Sequence, residues 1–419
     1  MMNSALKIEP SISPILTKEL LATYGSPLYV YDADQLRTTI EQITRSIPYP
    51  GTQFRFASVT NGNVALLQIF KDANWGLHAN TPGDIYLGLT AGFASDRIVY
   101  SGSNLDRAEM AQVLQWGINT LNLDSVAQIQ LCGEVYQELA ETIRVPQLGL
   151  RLNLPELTGE SRIGIHPDEF PTAILIAKSA GLKIDGLHFY RGTGTNATKA
   201  FTQVIDRLLS IAQLLPDWHY LDFGGGFGYP YKGGVGFDWA NFGADLTARL
   251  ERLNLGIDNL NSIELIIEPG RAAIASCATL LATVVSVKWQ DDSPKETLRE
   301  RQIVGVDTTV ANFSVPAVHG GYREIVAVNP SDPDLLYTTD ICGNTTYSRD
   351  YLGRNCQLPQ LAIGDIIAIL AVGAYGYAMS SHFLHRPRPA EVLLEHNSHR
   401  LIRDRENYSV LLTNQIFDR

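Results

Sequence analysis

Residues 220-YLDFGGGFG-228 run from a short apolar strand directly into three consecutive glycines. A strand that stops at a glycine turn is a junction where backbone N–H groups are free to approach an anion. The strand half of this plan recurs along the chain. The runs 54-FRFASV, 76-GLHAN, 97-RIVYSG, 120-TLNLD, 147-QLGLRLN, 182-LKIDGLHFY, 220-YLDFGGG and 263-IELIIEPG are apolar and strand-like. Helical periods fill the gaps, as in 62-GNVALLQIFKDAN, 106-DRAEMAQVLQWG and 168-DEFPTAILIAKSAG. Eight such alternations favour a (β/α)8 barrel, with an open doubly wound sheet as the alternative.

After about residue 275 the texture changes to strands joined by loops, as in ATLLATVVSVKW, RQIVGVDTT, LLYTTDICG, DIIAILAVGAYG and AEVLLEH. The reading is an α/β barrel over residues 35–275 plus a second, mostly β C-terminal domain. That domain spans 276–419 and is completed by the N-terminal segment 1–34 with its strand 28-LYVYD. A net charge of −11 without a basic run disfavours nucleic acid. No apolar run reaches transmembrane length or resembles a signal peptide, so no membrane partner and a cytoplasmic setting are expected. Cys132, Cys277, Cys342 and Cys356 share no CxxC spacing, which argues against a disulfide framework or a metal site.

In a barrel the chemistry sits at the strand ends. There 222-DFGGGFG-228 offers an anion turn and 268-EPGR-271 a carboxylate beside a guanidinium. Further on, 373-GAYGYAMSS-381 sets Tyr375 among small residues, followed by 386-RPRPAEVLL-394. In this order the motifs resemble the ornithine/diaminopimelate decarboxylase family of fold-type III pyridoxal-phosphate enzymes, over nearly the whole chain from 29-YVYD-32 onward. The resemblance implies pyridoxal phosphate as cofactor. It assigns Thr193, Gly224, Gly225, Gly226, Gly270, Arg271 and Tyr375 to the phosphate side and Glu268 to the pyridine nitrogen. It sets Arg151 and Arg162 near the site. It makes Cys342 a proton donor delivered from a second subunit, hence a homodimer with shared sites.

The reacting side departs from the pattern. The family's lysine motif aligns with 56-FASVTNGN-63, which puts Val59 where the Schiff-base lysine belongs. His78 stands where an acid is usual, and Tyr190 where a histidine stacks on the ring, while His188 matches the preceding histidine. The substrate-side Arg-Pro-x-x-Tyr pattern becomes 315-VPAVH-319, leaving His319 and Arg191 as anion contacts for an amino-acid-like or phosphorylated ligand. So many coincident departures read as native divergence of a whole face. Three functions follow. The first is an enzyme of decarboxylase type that holds pyridoxal phosphate, or the cofactor joined to an amino acid, without a covalent anchor. There Cys342, Tyr190 or His188 would move protons. The second is a non-catalytic relative that binds a phosphorylated metabolite or regulates an active paralogue. The third is new acid–base or metal chemistry built from His78, His188, Tyr190, His319 and Cys342.

Overall fold

The first strand, β1 (Leu28–Asp32), belongs to a sheet described below, and the next eight close into a ring. These are β2 (Gln53–Ala57), β3 (Gly76–Ala79), β4 (Ile98–Tyr100), β5 (Thr120–Leu123), β6 (Gln147–Arg151), β7 (Ile184–His188), β8 (Tyr220–Asp222) and β9 (Glu264–Ile267). All neighbours are parallel, and β9 returns to β2 through Gln53↔Ile266 and Phe54↔Ile267, so the sheet is a closed barrel. The computed structural model describes residues 12–192, 194–254, 263–291, 300–330, 332–396 and 398–417. Seven of the eight strand-like runs contain a whole barrel strand, and β2 starts one residue before the remaining run, 54-FRFASV.

Between strands the helices start where the sequence caps them. Thr81 and Asp106 form capping boxes with Asp84 and Glu109, and the side chains of Asn63 and Ser125 accept from Ala65 and Gln128 N–H groups. Inside the barrel, side chains must share a narrow lumen. Tyr220 fills it: a Cβ on Gly186 or Gly149 would lie 1.8 or 2.2 Å from the Tyr220 side chain. Val99, Tyr220 and Ile266 form a buried apolar layer there. Behind the 222–228 turn, Phe201, Phe223, Phe227, Phe237, Trp239 and Phe242 pack as an aromatic cluster, with ring centroids as close as 4.5 Å.

The second fold is a nine-stranded sheet. Its main path runs β14 (Tyr351–Pro359), β13 (Leu336–Cys342), β11 (Glu300–Val306), β10 (Ala278–Asp291), β1, β16 (Ala390–Glu395), β17 (Ser398–Arg403). Off this path, β15 (Ile366–Leu370) pairs with β10 and with β12 (Ile325–Ala327). Strand β1 lies antiparallel to β10 and parallel to β16, so the N-terminal segment sits mid-sheet. Its Leu28 and Val30 pack with Leu281, Ala368, Leu370 and Val392, and Leu20 from the helix Pro14–Tyr24 covers them. The chain forms two compact units, Arg37–Tyr229 with Val235–Ala273, and Met1–Leu36 with Pro230–Gly234 and Ile274–Arg419. No helix among the described residues is long and apolar enough to cross a membrane.

Candidate active site

On each barrel strand every second side chain faces the lumen. At the C-terminal ends these are His78, Ser101, Asn122, Arg151, His188, Asp222 and Glu268. Hydrogen bonds across the ring establish the orientation. Asn122 Nδ2 donates to Asp222 Oδ2 at 2.8 Å and to Ser101 Oγ at 3.1 Å, and the Tyr220 hydroxyl donates to Asn122 Oδ1 at 2.9 Å. Strands β5 and β8 are not neighbours, so bonds between them must pass through the lumen.

Glu268 is the centre of this layer. Its Oε2 lies 3.4 Å from His188 Nε2 and 3.5 Å from His78 Nε2, with all three residues buried. Burial lifts the Glu268 carboxyl to about 7, although the hydrogen bond from Asp222 and the charges of Arg151 and Arg55 pull it down. Asp222 is pushed well above the usual carboxylate range, by burial and then by the Glu268 charge. Asp222 Oδ1 accepts from the Gly224 N–H at 3.0 Å while its Oδ2 accepts from Asn122. Burial also pushes His188 down to about 4 and His78 well below its ordinary value, so both imidazoles are neutral at pH 7. Glu268 Oε1, His188 Nδ1 and both ring nitrogens of His78 have no hydrogen-bond partner among the described residues. His188, Asp222 and Glu268 also place one ligand atom each within 4.8 Å of one another, the spacing of a metal triad.

Beside this layer the glycine turn is held tightly. Gly224 and Gly226 have φ of +68° and +96°, and a Cβ on Gly225 would lie 2.6 Å from the Glu268 carbonyl oxygen. Thr195 N–H donates to Gly226 O at 3.0 Å, and Gly228 N–H donates back to Thr195 O at 3.0 Å. Arg271 opens the short helix Arg271–Ile274, and its Nε lies 2.9 Å from where a Gly194 Cβ would stand. The next Cβ-less position, Gly270, faces Ala57 and Thr60 at the exit of β2. Thr193 lies outside the described residues.

The exit of β2 is a single turn, Ser58–Thr60. Ser58 Oγ donates to His78 O at 3.0 Å and Thr60 Oγ1 to Ala57 O at 2.8 Å, while Val59 between them is 44% exposed. No barrel strand carries a lysine. Tyr190, half-buried beyond β7, faces the Arg151 guanidinium at 5.4 Å, and Arg151 Nη1 donates to Ser101 O at 3.0 Å. Two of the named arginines stand apart: Arg162 is exposed, and Arg191 Nε donates to Ala200 O at 3.4 Å.

Three further sequence candidates lie in the β-sheet unit. Cys342 ends β13 half-buried, its thiol pushed up to about 11 by burial and then by Asp340 and Asp350. His319 is exposed at the end of the helix Val315–His319, and Tyr375 has a φ of +59°. The motifs did not single out Ser101, Asn122, Asp222 or the buried Arg55. Strand parity is the signal that would have found them, because each polar residue stands two places from another inward one.

Comparison with known proteins places these features among relatives. The sequence profile described as "Pyridoxal-dependent decarboxylase, pyridoxal binding domain" matches residues 33–275. The diaminopimelate decarboxylase of Methanothermobacter thermautotrophicus is 32% identical over 410 residues, covering 95% of this chain and 93% of the relative. That of Aquifex aeolicus is 28% identical over 413 residues, covering 96% and 94%. Among solved structures, Helicobacter pylori diaminopimelate decarboxylase complexed with L-lysine superposes with a TM-score of 0.83 at 26% identity, covering 95% of this chain and 98% of that one.

Proposed function

This chain belongs to the pyridoxal-dependent decarboxylases, and from that premise we propose that it holds pyridoxal phosphate, or the cofactor joined to an amino acid, in the barrel mouth without a covalent tie. The observation that carries this reading is Glu268 Oε1, a buried acceptor without a partner beside a glycine turn and Arg271. A protonated pyridine nitrogen supplies the missing donor, and its positive charge offsets the burial that lifts the carboxyl to about 7. The turn itself requires glycine: a Cβ on Gly224, Gly225 or Gly226 would lie 2.0, 2.6 or 2.4 Å from the carbonyl oxygen of Phe189, Glu268 or Gly192.

Bound there, the cofactor supplies an electron-withdrawing ring. The chain does the rest. Backbone N–H groups of residues 224–226 and Arg271 would hold the phosphate, and Glu268 would keep the ring nitrogen protonated. Tyr190 would offer its ring to the cofactor, and the Arg151 guanidinium 5.4 Å from its centroid helps to fix its orientation. His188 and His78, neutral at pH 7, accept and return protons, while Cys342, protonated at the same pH, serves as the donor from a second copy. Val59 has no amine with which to form or exchange a bond, so the ligand would enter and leave without a covalent tie to the chain. The chemistry is of amino-acid carboxy-lyase type. The substrate is not diaminopimelate, because Val315 and His319 replace the arginine and tyrosine expected to grip its distal carboxylate.

The test is a spectroscopic titration. Pyridoxal phosphate should give a band in the roughly 330–420 nm range that dialysis removes, and borohydride should leave no label on the chain. Arg271→Ala should abolish the band. No band with the wild type, or a borohydride-fixed label on one of its lysines, would sink the reading.

A further inference from the structure

A separate cavity of about 370 Å³ lies wholly within the β-sheet unit, walled by the helix Val315–His319 and its following turn, by β14 and by Lys232. Its charge is one-sided. Lys232, Arg323, Arg349 and Arg354 line it, and no carboxylate does, in a chain whose net charge is −11. The Cys356 thiol at the wall adds no negative charge either, since burial and then Asp340 and Glu324 push it up to about 11.

Aromatic faces lie against three of these cations. The Arg354 guanidinium lies 3.5 Å from the Tyr351 ring centroid, Arg323 lies 3.6 Å from that of Tyr231, and Lys232 Nζ lies 5.7 Å from that of Tyr322. A guanidinium stacked on a ring keeps its in-plane N–H donors available at the edge. Lys232, Arg349 and Arg354 make no ion pair with any described residue. Arg323 is 4% exposed and donates from Nη1 to Tyr322 O at 2.7 Å, so one charge of the set is buried in the wall. Four like charges gathered on one concave surface repel each other, and a bound anion relieves that repulsion. The cavity volume is that of a small-molecule site. It is not the face of Val315 and His319, which stand four residues apart on one side of their helix, while Pro316, Ala317 and Gly320 line the cavity.

We propose that this cavity binds a small metabolite carrying at least two negative charges on carboxylate or phosphate groups. The proposal stands independently of the barrel reading. A ligand there would clamp the Val315–His319 helix to β14.

The test is calorimetric titration of the full chain with citrate and, separately, with pyrophosphate. Wild type, Arg349→Ala/Arg354→Ala and Arg271→Ala are compared. At least one probe should bind the wild type. Its affinity should fall about tenfold or more in the double variant, as expected for loss of a charged hydrogen bond, and stay unchanged in Arg271→Ala. Binding of citrate alone assigns the site to polycarboxylates, and binding of pyrophosphate alone to phosphates. Arg349 and Arg354 are exposed, so the double variant should fold; Lys232→Ala should weaken binding in the same direction. Failure of both probes to bind the Arg271→Ala protein, or binding to it that survives the added Arg349→Ala/Arg354→Ala pair, overturns the proposal.

Discussion

Glu268→Gln should change how stability depends on pH. In the folded barrel, burial lifts this carboxyl from 4.5 to about 7. A raised carboxyl contributes fully to stability below its unfolded value and loses that contribution as pH climbs through the folded one. At about 1.4 kcal/mol per pKa unit, the rise to about 7 corresponds to about 3 kcal/mol lost between pH 4.5 and 7. His188 acts in the opposite sense. Its imidazole, lowered from 6.5 to about 4, contributes stability that is present above 6.5 and lost as pH falls through 4. The two contributions oppose each other over nearly the same window, so the wild-type curve should be shallow. Glutamine keeps the shape and removes the titration. Relative to wild type, the variant should therefore gain about 3 kcal/mol on going from pH 4.5 to 7.5. A smaller lift of Asp222, once the Glu268 charge is gone, adds in the same direction. Guanidinium unfolding followed by circular dichroism at the two pH values reads the difference directly. Parallel pH profiles for the two proteins would refute the claim that burial lifts the Glu268 carboxyl to about 7.

Other changes test neighbouring parts of the site. Gly225→Ala places a Cβ 2.6 Å from the Glu268 carbonyl oxygen, so thermal denaturation should show a loss of about 1–3 kcal/mol, and titration weaker pyridoxal-phosphate binding. Asn122→Ala removes the donor to Asp222 and the acceptor for Tyr220, at a stability loss of at least about 2 kcal/mol by urea unfolding. Val59→Lys should give a borohydride-fixable band in the roughly 330–420 nm range but little carbon dioxide release from diaminopimelate or ornithine. Full activity on either would show that His78, Tyr190 and Val315 do not limit the chemistry. With a thiol at about 11, Cys342 should be alkylated slowly at pH 7.5, and peptide mapping should show the rate still rising beyond pH 9.

The barrel was legible because each of its strands is a short apolar run, and β2 to β5 lead into helices capped by Asn63, Thr81, Asp106 and Ser125, signals that need only local sequence. The glycine turn and Glu268 were legible for a related reason, since both stand in contiguous motifs at strand ends. Asn122, Ser101 and Asp222 were not. Each is a single polar letter inside an apolar run, and what joins them is a set of bonds across the lumen that exists only once the ring has closed in this register. The cationic cavity was hidden more deeply: Lys232, Arg323, Arg349 and Arg354 are spread over the chain, and no spacing rule connects them.

The aromatic cluster behind the glycine turn has an entropic consequence. Glycine surrenders more backbone freedom on folding than any other residue. Gly224, Gly225 and Gly226 run between Phe223 and Phe227, whose rings are fixed among Phe201, Phe237 and Phe242. That freedom is therefore given up when the barrel folds, before any anion arrives. A phosphate then meets donors already in place, and little of its binding energy goes into ordering a loop. Loosening Phe201 or Phe237 should hence weaken anion affinity from a distance, through the disorder it returns to the turn.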